Sequence, residues 1–130
     1  MATGTIKRGS SLVTLYSGTF SDTVNISLSE SAANFSALII EFQNNDEFTG
    51  SVYITDPDGK TVPLTLANIS GNNTQVYIKS KIYTINGNTL IRRVISGTYS
   101  GNGQGYFDAS TQGVTAGGAY IGVTRVTGIR

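Results

Sequence analysis

The sequence predicts an all-β fold, a single antiparallel β-sandwich of about eight strands, on three observations. Short apolar or alternating runs rich in Val, Ile, Thr, Tyr and Phe recur roughly every ten residues, with Gly, Asn, Asp or Ser between them. Only 13% of the residues are charged, about half the usual share, so Ser, Thr, Asn and Gly must cover the surface, and these suit strands and turns better than helices. The 130 residues make one domain of ordinary size, able to bury roughly two thirds of its unfolded surface. No linker, heptad run or internal repeat divides them.

The first strand is read over 11–17, with Leu12, Thr14 and Tyr16 facing one way and Val13 and Leu15 the other. The second, 23–28, alternates so that Val24, Ile26 and Leu28 point inward. Residues 29–36 have modest helical character and are expected to form one turn with Phe35 tucked under the sheet. Ala37 to Phe42 is almost continuously apolar, which predicts a central strand covered on both faces or lying at an oligomer contact. After a polar loop over 44–50 comes a strand at 51–55, then Asp56-Pro57-Asp58-Gly59, read as the turn of a hairpin leading into 60–66. The runs 75–84 and 89–96 flank Asn86-Gly87, whose tolerance of positive φ predicts a tight hairpin between long partners. Two Gly-rich stretches, 97–108 and 113–118, precede a last strand at 119–127.

Composition removes several function classes. The chain has no His, Cys or Trp, so disulfide frameworks, thiolate zinc sites and His-activated nucleophiles are excluded together. The nine basic residues are scattered, the net charge is +1, and Arg92 and Arg93 would point to opposite faces of a strand; nucleic acid is not an expected partner. No segment reaches the roughly 18 apolar residues of a membrane span, and residues 1–9 carry no signal-peptide core, so neither membrane insertion nor secretion by that route is expected.

The remaining chemistry-bearing patterns are weak. Asp56-x-Asp58-Gly59 opens like a calcium loop, but Lys60 and Val62 stand where oxygen ligands belong, and it reads as a plain turn with no metal. Glu41, Asp46, Glu47 and Asp108 could supply the paired carboxylates of a glycan-cleaving enzyme, which requires two of them across a cleft; solvated loop charge is the favoured reading, and no catalytic residue and no cofactor are expected. Gly101 to Gly105 lacks the Lys-Ser/Thr and the helix of a phosphate cradle, leaving a flexible loop, a strand edge or a binding loop. As a binding loop it offers Tyr99, Asn102, Gln104, Tyr106 and Asp108, aromatic faces and polar groups suited to carbohydrate. Sequons begin at Asn25, Asn34, Asn68 and Asn72, as expected by chance in a chain this rich in Asn, Ser and Thr.

The C-terminal run Ala119-Tyr120-Ile121-Gly122-Val123-Thr124-Arg125-Val126-Thr127-Gly128-Ile129-Arg130, apolar then basic, apolar, Gly, apolar and basic, resembles the closing strand of phage and prophage tail-tip proteins. The opening Leu15-Tyr16-Ser17-Gly18-Thr19-Phe20-Ser21-Asp22-Thr23-Val24-Asn25-Ile26 resembles them as well, with an aromatic-Ser-Gly step before a strand. That family often has Trp where Tyr16 stands, and an N-terminal shaft or shoulder that these residues lack. The resemblance implies a receptor-binding or tail-fibre head, or a baseplate component, with a jelly-roll or fibre-knob-like sandwich. It further implies self-association, most readily as a homotrimer, contact with other virion proteins, and binding of host cell-surface saccharide by a virion protein made in the host cytoplasm. The competing expectations are a purely structural capsid-decoration or tail-assembly subunit and, from another class, the glycan-cleaving enzyme.

Overall fold

A computed structural model of the chain describes residues 11–19, 25–44, 47–69, 76–93, 104–108, 113–116 and 121–130. They form ten strands and one short 3-10 turn: β1 Leu12–Ser17, β2 Asn25–Ser27, the turn Ala32–Asn34, β3 Ala37–Asn44, β4 Thr49–Thr55, β5 Thr61–Ile69, β6 Val76–Asn86, β7 Thr89–Arg92, β8 Gln104–Asp108, β9 Gly113–Ala116 and β10 Ile121–Ile129. All pairings are antiparallel. One sheet has the order β1-β10-β3-β4, and the other β2-β7-β6-β8-β9 with β5 also on β6. The expected all-β sandwich is what the chain forms.

The core lies between the inward faces. Leu15, Leu38, Ile40, Phe42, Ile121, Val123 and Val126 from the first sheet meet Ile26, Leu64, Tyr83, Ile85 and Leu90 from the second. Several of these positions follow from local alternation, as at Ile26 and Leu28. Phe35 is buried beneath the sheet after a 3-10 turn capped by Ser31, whose Oγ accepts from Ala33 N at 3.2 Å.

Five expectations are corrected. A bulge in β1 between Thr14 and Tyr16 shifts the alternation, so Tyr16 packs against the core with Leu15 instead of facing outward with Thr14. β3 is central in hydrogen bonding, but of the two expected reasons for its apolar run, cover on both faces within the chain is overturned, since Leu38, Ile40 and Phe42 are buried whereas Glu41 is exposed and Ile39 half-buried; the other, an oligomer contact, stands as an expectation. The Asp-Pro-Asp-Gly step is a corner between sheets, since β4 pairs with β3 and β5 with β6. Its turn runs from Pro57 to Lys60, closed by Lys60 N to Pro57 O at 3.1 Å, with Gly59 at φ +85°.

The Asn86-Gly87 hairpin forms as expected, with Gly87 at φ +58°, but β6 and β7 pair only from Tyr83 with Arg92 to Asn86 with Thr89. The rest of that edge of β6, Tyr77 to Lys81, is taken by β8. Residues 104–108 and 113–116 of the Gly-rich stretches are therefore paired strands rather than loop.

Candidate functional site

Of the residues singled out for saccharide binding, Tyr99 and Asn102 lie outside the described residues. Gln104, Tyr106 and Asp108 occupy alternate positions of β8, in register with Lys81, Lys79 and Tyr77 of β6. Their backbone thus stands on the sheet itself, a more rigid base than a loop.

The lysines opposite them were not foreseen. Read as an isolated strand, 78–83 admits two phases, with Ile78, Ser80 and Ile82 inward or with Lys79, Lys81 and Tyr83 inward. The second phase is observed: Lys79 and Lys81 are buried and Ile78 is 40% exposed. Ile85 settles it, because the hairpin pairs it with Leu90 and both are fully buried, and a period of two then carries Tyr83, Lys81 and Lys79 inward. Lys81 Nζ donates to Ile121 O at 3.1 Å and lies 5.6 Å from the centroid of the Tyr83 ring. With Asn44, also fully buried, they give this end of the sandwich a polar interior. Burying ammonium groups costs several kcal/mol each unless they are hydrogen-bonded and compensated, so this end is specialised relative to the apolar remainder of the core.

The opposite end is tied by bonds between segments far apart in the chain. Asp58 Oδ1 accepts from Gly87 N at 2.8 Å, Ala32 N donates to Gly87 O at 2.8 Å, and Ser36 N and Oγ both donate to Ile129 O at 2.8 and 3.0 Å. Arg130 makes a bidentate pair with Glu30 at 2.9 and 3.0 Å, and its guanidinium sits 4.7 Å from the Phe35 ring centroid. The Glu30 carboxyl is held below its ordinary value first by the hydrogen bond from Arg130 and then by that from Asn34. Asp56 and Asp58 line an open pocket of about 240 Å³ against Ala32, Ala33 and Phe35. Among the described residues, no group of three or more metal-ligating side chains gathers.

Of the carboxylates considered for glycan cleavage, Asp46 lies outside the described residues, Glu47 is exposed at φ +68°, and Asp108 is placed in β8 by its register. Glu41 opens onto a depression of about 400 Å³ with Phe42, Thr49, Gly50, Ser51 and Thr124, and is the one carboxylate among those six residues. A glycosidase centre needs two carboxyl groups within roughly 5–10 Å across such a cleft.

No family model, no curated protein and no solved structure matches this chain.

Proposed function

We propose that this chain is a non-enzymatic component of a phage tail that self-associates and binds saccharide on the host cell surface. What carries the reading is that the two segments resembling tail-tip proteins are neighbours in space. β1 pairs with β10 at Tyr16 with Val126 and at Ser17 with Arg125, so the start of the first resembling segment lies against the second, while its Asn25 and Ile26 stand in β2 of the other sheet. Tyr99 and Tyr106 would offer ring faces to sugar C–H groups, and Asn102, Gln104 and Asp108 would hydrogen-bond hydroxyls. Three of these five have their backbone in β8, at positions in register with the inward-facing Lys81 and Lys79 and with Tyr77.

The test is light scattering of the purified chain with and without a panel of bacterial cell-wall saccharides, repeated with Tyr106→Ala. Self-association, saccharide binding and its loss in the variant are expected. A monomer that ignores the whole panel would replace this reading with that of a capsid-decoration or tail-assembly subunit.

A further inference from the structure

The outer face of the four-stranded sheet carries a pattern that fits a second copy of the same chain. Its rows are fixed by register. One runs Leu12, Ile129, Ala37, Thr55 across β1, β10, β3 and β4, and the next runs Thr14, Thr127, Ile39, Tyr53. A third places Arg125 of β10 directly beside Glu41 of β3. Leu12 is 53% and Tyr53 63% exposed, Ile39 and Ile129 are half-buried, and Arg125 and Glu41 are both exposed.

We propose that two copies pack through this face about a two-fold axis running along the strands, midway between β10 and β3; the proposal rests on the self-association read above. Such an axis turns each row onto its own reverse. Leu12 then meets Thr55 of the second copy and Tyr53 meets Thr14, while Ile129 and Ile39 come over Ala37 and Thr127, which at 1% and 9% exposure are already buried between their neighbours within one chain. In every apolar pair a large side chain faces a smaller one, the arrangement that lets two sheets interdigitate at about 10 Å separation. In the charged row the same rotation sets Arg125 over Glu41 of the second copy, and Glu41 over its Arg125, so one operation satisfies shape and charge together. Within one chain Arg125 bonds to Thr14 Oγ1 at 3.2 Å, which holds the guanidinium on this face.

Four strands at ~4.8 Å spacing and ~3.3 Å per residue make a face on the order of 500 Å² in plan. That is small against the roughly 800 Å² per partner of a standard interface, so the dimer dissociates on dilution. A three-fold contact would leave this self-complementary face unused, so the pairing is two-fold rather than the trimer that the resemblance implies.

The experiment is light scattering over a dilution series on the parent chain, Arg125→Glu, Glu41→Arg and the double reversal, with circular dichroism to confirm folding of each. A parent mass rising to twice 13.7 kDa, reduced to the single-chain mass by either reversal and restored by both together, is the expected result. Tyr53→Ser, which alters no charge at an exposed edge-strand position, should also lower the dimer fraction. A parent that stays monomeric or forms a trimer overturns the proposal, as does a dimer indifferent to the reversals and to Tyr53→Ser. Saccharide binding, read separately by calorimetry, distinguishes the two readings: a reversal-sensitive dimer that binds no saccharide keeps this face and removes the receptor-binding role, and a saccharide-binding trimer does the opposite.

Discussion

Gly128→Ala places a methyl group where the core has no room for one. A Cβ at Gly128 falls 2.6, 2.7 and 2.9 Å from Cδ1, Cε1 and Cγ of Phe35, far inside the ~3.5–4.0 Å at which carbon atoms attract. The ring has little freedom to retreat, since it is 5% exposed and also meets the Arg130 guanidinium, which is itself fixed by two bonds to Glu30. Relieving the clash means shifting the ring by about 1 Å, and overpacking of this kind costs about 1–3 kcal/mol. At roughly 3–5 °C per kcal/mol for a domain of this size, Tm should fall by about 3–15 °C. Thermal melts followed by circular dichroism give the value. Phe35→Leu combined with Gly128→Ala should be less destabilising than the sum of the two single changes by at least about 0.5 kcal/mol, because the smaller side chain admits the methyl group. The reasoning fails if Gly128→Ala melts within about a degree of the parent, or if the two substitutions simply add.

Three further outcomes are expected. Lys81→Ala leaves a cavity and removes the donor to Ile121 O, costing about 2–5 kcal/mol, whereas Ile78→Lys at an exposed position of the same strand should stay within about 0.5 kcal/mol; urea titrations giving the opposite order would show that the strand sits in the other phase. Asp58→Ala removes the bond from Gly87 N that ties the inter-sheet corner to the hairpin and should cost about 0.5–1.5 kcal/mol in the same titrations, with less lost in Asp58→Asn, which retains an acceptor. Glu30 has a folded-state pKa below its ordinary value, so its contribution to stability is present above the unfolded pKa and is lost as pH falls through the folded one. The Tm advantage of the parent over Glu30→Gln should therefore be largest near neutral pH and vanish in acid; an advantage that grows as pH falls would contradict the assignment of the Glu30 with Arg130 pair.

Sequence alone determined what local periodicity and turn chemistry can carry. Ile26 and Leu28 lie inward as their alternation requires, the Asn86-Gly87 hairpin forms where two residues tolerant of positive φ stand between strands, and the class follows from strand-length runs separated by turn formers. Of the proposed saccharide site, only the residue types were legible. That Gln104, Tyr106 and Asp108 stand on a strand beside Lys81, Lys79 and Tyr77 follows from β8 occupying the part of β6 that the β7 hairpin leaves free. Tertiary structure decided the rest, because a period of two gives each strand two equivalent phases and says nothing of which edge it joins. Lys79 and Lys81 face inward since Ile85 must meet Leu90; Asp-Pro-Asp-Gly turns a corner since β4 and β5 find their partners in different sheets; and Glu30 reaches Arg130 across 100 positions. The sheet partners of β4 and β5 and the Glu30 with Arg130 pair join residues distant in the chain, and the phase of β6 follows from the hairpin contact of Ile85 with Leu90 being buried in the sandwich; none is set by a preference of the segment itself.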